Sequence, residues 1–200
     1  GAYFKYNTTK GQKIRAKVGI SFVGLNKARS NLSEMKSWDF QEVKDVAVDQ
    51  WNQLLSKARV TGTEENKKIF YTAMYHSYLQ PVNRTGENPK WVSDEPYYDD
   101  YFAIWDTFRA THPLFTLLTP SVQTDMIRSL IDIYKHDGYM PDARSGNDNG
   151  RVQGGTDCDI LIADAMVKGL KNIDYETALQ SMVKNAEVAP GGDERKEGRG

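Results

Sequence analysis

The chain has 200 residues, 39% of them hydrophobic and 26% charged, with a formal net charge of −1 and one cysteine. That length suits one ordinary domain or parts of two, and the near-zero charge removes any electrostatic case for nucleic acid or an anionic membrane as partner. No apolar run approaches the roughly 20 residues of a membrane span, and the lone Cys158 rules out an intrachain disulfide or a cysteine-rich zinc site.

Residues 2–6 read as a strand. Ile14, Ala16, Val18, Ile20 and Phe22 then alternate with polar or small residues, the period of a half-buried strand over 13–23. Two strands alone are marginally stable, so residues 1–23 are expected to close a larger β-domain. Gly24 breaks this pattern, and a short helix over 25–36 follows. Asp39 and Glu42 form a capping box that opens a helix over 40–58, with Val43, Val46, Trp51, Leu54 and Leu55 as its candidate buried positions. Residues 24–62 therefore read as a helical linker.

Everything from residue 63 reads as helix and loop. Residues 64–79 carry Ile69, Phe70, Ala73, Met74 and Tyr78 at helical spacing, and Pro81 stops them. A polar loop over 81–100 leads to a helix over 102–118, bent at Pro113. Thr119 and Pro120 mark an N-cap and first turn for a helix over 120–137, which Gly138 ends. A second glycine-rich loop covers 139–157, and helices over 158–170 and 174–187 follow. Residues 191–200 are charged and glycine-rich, either a solvated tail or a loop. Helices joined alternately by short and long loops suit an α-hairpin array, in which the long loops gather at one end and carry function.

The densest chemistry lies between Trp91 and Arg109, where seven aromatic residues interleave with Asp94, Glu95, Asp99, Asp100 and Asp106. Sugars are bound by this mixture, because their C–H faces stack on rings while their hydroxyls need fixed charged partners. Asp106 and Arg109, three apart, share a helix face. They offer an acceptor and a donor to neighbouring hydroxyls, with Trp105 as a stacking wall. The same residues also fit a structural helix, with Trp105 and Phe108 in the core and an intrahelical ion pair contributing about 0.2–0.5 kcal/mol. A second candidate is the loop from Met140 to Asp159, whose Asp142, Asn147, Asp148, Asn149, Gln153, Asp157 and Asp159 offer hard oxygen ligands of the kind calcium takes. Turn chemistry explains that composition equally well, and the EF-hand spacing is absent. His76, His112 and His136 make no metal signature, no G-x-S-x-G elbow exists, and Cys158 reads as a small buried residue. Three sequons, at Asn7, Asn31 and Asn83, permit glycosylation in a eukaryotic secretory pathway.

Ile104-Trp105-Asp106-Thr107-Phe108-Arg109-Ala110-Thr111-His112-Pro113-Leu114 resembles the W-D-T-F-R-x-x-x-P-L signature of glycoside hydrolase family 92. Ile69-Phe70-Tyr71-Thr72-Ala73-Met74-Tyr75-His76 resembles an upstream segment of that family. Gly138-Tyr139-Met140-Pro141-Asp142, Gly154-Gly155-Thr156-Asp157, Ile162-Ala163-Asp164-Ala165 and Lys168-Gly169 resemble its later blocks, and Ile20-Ser21-Phe22-Val23 with Ala28 and Asn31-Leu32 its strand-to-linker junction. The blocks run in order over about residues 18–187.

The resemblance implies a mainly α chain: the last strands of an N-terminal β-sandwich (residues 1–23), the linker (24–62), and the first half of a six-hairpin (α/α) barrel (63–200). It implies an inverting, exo-acting, calcium-dependent α-mannosidase acting on terminal α-linked mannose of glycans, with α-1,2 the expected linkage. Trp105, Asp106 and Arg109 become the expected substrate-binding residues, with Asp157 a further candidate. Inversion needs an acid and a base about 6.5–9.5 Å apart with a water between. The family's acid Glu and base Asp lie in blocks resembling E-G-N-x-W and G-N-D-D. Neither block occurs here, so no catalytic residue is assigned, the pair and most calcium ligands are expected beyond residue 200, and this segment alone is expected to be inactive. The remaining part of the same polypeptide becomes the expected partner that completes the barrel, and a secreted, periplasmic or cell-surface location is expected. Two alternatives stay open: another (α/α)-barrel glycosidase of trehalase or glucoamylase type, and a non-catalytic helical carbohydrate-binding module.

Overall fold

The structure, a computed structural model, describes residues 3–150 and 156–188. The chain forms two compact units, Gly1–Trp51 and Asn52–Gly200.

In the first unit the expected strands do not form. Residues 3–23 join no sheet among the described residues, and Val18 and Ile20 are 74% and 72% exposed. The alternation exists, but a strand needs a neighbouring ladder to satisfy its backbone groups, and no described segment supplies one. Side chains tie this segment down instead. Arg15 donates to the Trp38 carbonyl at 2.7 Å and Asn31 to the Ile20 carbonyl at 2.9 Å. Lys17 donates to the Met35 carbonyl at 2.6 Å and lies 4.6 Å from the Trp38 ring centroid. Helix α1 (Leu25–Asn31) runs into a 3-10 turn at Leu32–Glu34. Gly19 permits the close approach to α1, since a Cβ there would lie 2.3 Å from the Ala28 carbonyl oxygen and 2.7 Å from the Leu32 side chain.

Helix α2 (Phe40–Leu55) begins where expected, with Asp39 Oδ1 accepting the backbone N–H groups of Gln41 at 2.7 Å and Glu42 at 3.4 Å. The reciprocal half of the box is made by Ser37, whose hydroxyl accepts the Asp39 N–H at 2.9 Å. No residue of α2 is fully buried, and Val46, expected inside, is exposed.

The second unit is helical, with two short strand pairs. Helix α3 (Glu64–Ser77) is capped by Thr63, which accepts the Asn66 N–H at 3.2 Å. Of its expected core positions only Met74 is buried. Tyr78 is half-buried, and Ile69 and Phe70 face solvent. The long loop after α3 pairs β1 (Val82–Asn83) with β2 (Tyr98–Asp99), and the later loop pairs β3 (Arg144–Ser145) with β4 (Asp148–Asn149), both antiparallel. An antiparallel bridge joins Tyr101 to Arg144, so the two long loops lie together. That is the gathering expected of an α-hairpin array.

The single helix expected over 102–118 is two helices, α4 (Ile104–Thr107) and α5 (Thr111–Leu118), and the break falls at residues 108–110 rather than at Pro113. Pro113 occupies the first turn of α5, where a missing N–H costs nothing. Helix α6 (Pro120–Asp137) is the centre of the unit. Proline opens it, Gly138 closes it at φ 82°, and Met126, Ile127, Leu130, Ile131 and Ile133 are all buried. Helix α6 packs against α5, β2 and α8 (Tyr175–Glu187), while α7 (Asp157–Val167) packs against α4, α5 and α8. Truncating a core residue such as Ile127 to Ala would cost about 2–5 kcal/mol.

The buried polar residues of α6 each hold something outside it. Gln123 Oε1 lies 3.0 Å from His112 Nδ1, Ser129 Oγ accepts the Tyr98 N–H at 2.8 Å, and the Met126 carbonyl accepts the Tyr101 hydroxyl at 2.7 Å. His112 is also packed edge-on against Phe115. Burial pushes its pKa from 6.5 down to about 4, an effect the Gln123 hydrogen bond only partly opposes. Thr119 was expected to cap α6, but its hydroxyl turns instead to the Phe115 carbonyl and to Tyr78.

Two outcomes are expected. The unfolded chain binds a proton at His112 between pH 6.5 and 4 while the fold does not, so stability from the neutral ring is full above pH 6.5 and is lost as pH falls toward 4. Urea unfolding at pH 5 should give a free energy about 2 kcal/mol below that at pH 7 from this group, and His112→Asn should flatten that slope. Separately, Gly19→Ala should lower stability by about 1–3 kcal/mol through overpacking against α1, read as a lower melting temperature. An unchanged melting temperature would mean that α1 shifts freely.

Candidate functional site

The turn that carries the expected sugar-binding residues is anchored from inside and open outside. Ile104 has no solvent exposure, Trp105 is half-buried, and Asp106 and Arg109 are exposed. The chain enters α4 through Ala103 at φ 52°, a left-handed conformation that costs a non-glycine residue on the order of 1–3 kcal/mol. Ala103 caps the turn with its carbonyl, which accepts the Asp106 and Thr107 N–H groups at 2.9 and 3.1 Å. Arg109 lies beyond the last residue of α4, with its guanidinium carbon 4.9 Å from the Phe108 ring centroid.

Asp106 and Arg109 make no ion pair with each other, and neither side chain has a hydrogen-bond partner among the described residues. The alternative of an intrahelical ion pair is therefore not realised. A carboxylate that accepts and a guanidinium that donates stand on one turn with their hydrogen-bonding capacity unspent. Grooves of about 310 and 480 Å³ lie elsewhere, the first between Glu95, Arg128, Asp132 and Asp174 and the second around Ser121, Thr124 and Lys171.

Behind the turn sits a buried charge network that the sequence lists as residues but does not connect. The Arg144 side chain has no exposed surface. Its Nη1 donates to Asn149 Oδ1 at 2.6 Å and to Asp137 Oδ2 at 3.0 Å, and its Nη2 donates to the Asn147 carbonyl at 2.8 Å and to the Tyr97 hydroxyl at 3.3 Å. Its Nε faces Asp99 Oδ1 at 3.5 Å. Asp99, equally buried, accepts at Oδ2 from Arg84 at 2.7 Å and from the Asn147 N–H at 3.0 Å. Arg84 also reaches Asp100 at 2.9 Å, and Asp100 accepts the Ser145 hydroxyl at 2.7 Å. Tyr97, its ionisation pushed up chiefly by burial, keeps its proton and donates to Asn147 Oδ1 at 2.8 Å. Removing one member of such a network would leave a buried charge without its partner, at a cost of about 3–5 kcal/mol.

A second cluster was missed entirely. Asp132 of α6 accepts the Trp91 indole N–H at 2.8 Å and the Ser93 hydroxyl at 3.1 Å, and His136 stacks on Trp91 with ring centroids 4.7 Å apart. The signal was faint. Asp132 and His136 stand one helical turn apart, but their partners lie about forty residues earlier.

Part of the oxygen-rich loop, Asn147, Asp148 and Asn149, is engaged in these contacts or in a neighbouring ion pair. Asp142, Asn147 and Arg144 are buried, and Lys90 pairs with Asp148 and holds its carboxyl below the usual range. Among the described residues no three His, Cys, Asp or Glu side chains gather to hold a metal. Gln153 and its neighbours 151–155 lie outside the described residues. Asp157 opens α7 half-buried, and Asp159 Oδ1 accepts from Asn185 at 3.3 Å. Cys158 is buried, its thiol donating to the Pro141 carbonyl at 2.7 Å, as a small core residue should.

Comparison with known proteins fits this arrangement. Residues 27–200 match the model of the glycosyl hydrolase family 92 catalytic domain. A protein of Arthroderma benhamiae described as an uncharacterized secreted glycosidase is 31% identical over 209 residues, covering all of this chain and 24% of its own length. The structure of an inverting family GH92 mannosidase from Bacteroides thetaiotaomicron superposes with a TM-score of 0.75 at 31% identity, covering 86% of this chain and 25% of that one. A GH92 α-mannosidase from the same organism, in complex with mannoimidazole, gives 0.79 at 26% identity, covering 88% and 24%. The chain thus spans about a quarter of the length of these relatives. With its ordered blocks, its mainly helical second unit and a match over residues 27–200, this chain belongs to glycosyl hydrolase family 92.

Proposed function

We propose that this chain is the part of an exo-acting, inverting α-mannosidase that grips the terminal mannose. The observation that carries the reading is the open turn at 104–109, where Asp106 and Arg109 stand exposed beside Trp105 with no hydrogen-bond or ion-pair partner among the described residues. A pyranose with two adjacent hydroxyls satisfies both groups at once, one hydroxyl donating to the carboxylate and the other accepting from the guanidinium. Trp105 offers its ring to the sugar's C–H face. The similarity to an inverting mannosidase and to an α-mannosidase in complex with mannoimidazole supports mannose as the sugar.

The role of these residues is orientation. Fixing the sugar's hydroxyls restricts its freedom before the displacement and keeps the anomeric carbon aligned with the attacking water. The general acid, which protonates the departing oxygen, and the general base, which activates the water, are assigned to the polypeptide beyond residue 200, as are most of the ligands of the calcium expected for the family. Asp157 remains a further candidate contact at the start of α7. The substrate is a terminal α-linked mannose of a glycan, with α-1,2 the expected linkage. A place outside the cytoplasm agrees with a relative described as secreted, and no described helix is long and apolar enough to cross a membrane.

In the full-length polypeptide, Asp106→Ala and Arg109→Ala should each lower kcat/KM for an aryl α-mannoside by about 10- to 100-fold, the equivalent of one or two charge-assisted hydrogen bonds. The melting temperature should stay close to that of the wild type, because both side chains are exposed. Wild-type kinetics in both variants would overturn the reading. The 200-residue chain by itself should show no turnover of the same substrate, and measurable release of the aryl group by it would place an acid and a base within these residues.

A further inference from the structure

We propose that Arg144 is a positioning residue for the mannose-gripping turn, acting through the buried network and not by touching the sugar. This rests on the reading of Asp106 and Arg109 given above. The connection is continuous. The Arg144 guanidinium collects Asp137, Asn149, the Asn147 carbonyl and the Tyr97 hydroxyl, which folds the 144–149 hairpin around it. The same loop is then stitched by its backbone to the segment entering the turn. The Arg144 N–H donates to the Tyr101 carbonyl at 3.2 Å, and the Asp142 carbonyl accepts the Ile104 N–H at 3.1 Å. Ile104 is the first residue of α4, so the second bond holds the start of the turn directly.

Backbone geometry explains why holding is needed. Asp100 at φ 59°, Ala103 at φ 52° and Asn147 at φ 67° all occupy the left-handed region, where residues other than glycine are unfavourable. Three such residues in two adjoining loops would relax if left alone. Each is pinned by the network or by its backbone bonds: Asp100 by Arg84 and Ser145, Asn147 by Asp99 and Tyr97, and Ala103 by the fixed positions of Tyr101 and Ile104 on either side. A planar fork with five donors can hold these acceptors together, whereas an ammonium group cannot match their layout. The open Asp106–Arg109 pair is thereby presented in one orientation by a device buried behind it.

The test uses the full-length polypeptide carrying Arg144→Lys, which keeps the charge and loses the fork. Hydrogen exchange read by mass spectrometry should speed up about 10-fold or more in peptides covering 101–110 while α6 stays protected. The affinity for mannoimidazole should fall by a similar factor. A KM rise should accompany the loss of kcat/KM, and the pH profile should stay in place because no titrating catalytic group is altered. If that variant does not fold, Asn149→Ala, which removes one half-buried acceptor of the guanidinium, serves with an expected change of about 3-fold in the same directions. Unchanged exchange over 101–110, or exchange that rises equally in α6, overturns the positioning role. Asp106→Ala with undiminished mannoimidazole affinity would instead defeat the mannose reading, while the exchange result still decides the role of Arg144.

Discussion

A guanidinium with no exposed surface has to find every hydrogen bond inside the protein, because burying the charge without partners would cost far more than a domain's net stability. Arg144 meets most of that demand through its two terminal nitrogens, which bond Asp137, Asn147, Asn149 and Tyr97, while its Nε faces Asp99 Oδ1 at 3.5 Å as an ion-pair contact without a hydrogen bond. Those partners come from the end of α6, from its own hairpin and from the loop before α4. Satisfying one side chain therefore specifies how two long loops lie against each other. The alignment of the described parts of these loops follows from this, down to the backbone bond between Asp142 and Ile104 that starts the Trp105–Arg109 turn.

The helices supply the platform for that network. Helix α6 is buried over most of its middle, and it uses Gln123, Ser129 and Asp132 to hold His112, the β2 backbone and the Trp91 indole. Apolar packing around Ile127, Leu130 and Ile133 contributes the bulk of the stabilising burial. The polar residues add specificity, since each has a particular partner and would be left unsatisfied by any other arrangement. The outer surfaces are different in kind. Ile69 on α3 and Val167 at the end of α7 are exposed large apolar residues, as expected for a chain that spans a quarter of its relatives' length.

Division of labour follows from burial. Charges behind the turn are paired and enclosed, so they hold shape. The charges on the turn are exposed and have no ion-pair partner among the described residues. Asp99 and Asp106 are both aspartates in the same aromatic-acidic stretch, and nothing in local composition distinguishes their roles. Their surroundings do: Asp99 meets Arg84 and Arg144 in the interior, and Asp106 meets no described partner.

Helix identity and order were legible in the sequence, because caps, prolines and a 3.6-residue period are local signals. Asp39, Pro120 and Gly138 mark helix ends in the structure as they do in the sequence. The W-D-T-F-R block and its ordered companions were equally legible, since a motif needs no fold to be recognised. The apparent strand over 13–23 misled for a physical reason. Alternation states which side chains want burial, but a ladder requires a neighbour, and no described residue provides it. The long helix expected over 102–118 misled in the same way. The period suggests one continuous helix, while the backbone breaks at residues 108–110, where Ala110 leaves helical geometry at φ −132° and ψ −47°. The sequence by itself thus determined the family and the mainly helical character of the chain. Only the tertiary structure decided that Arg144 and Asp99 are enclosed while Asp106 and Arg109 stay open, because burial depends on contacts between segments tens of residues apart.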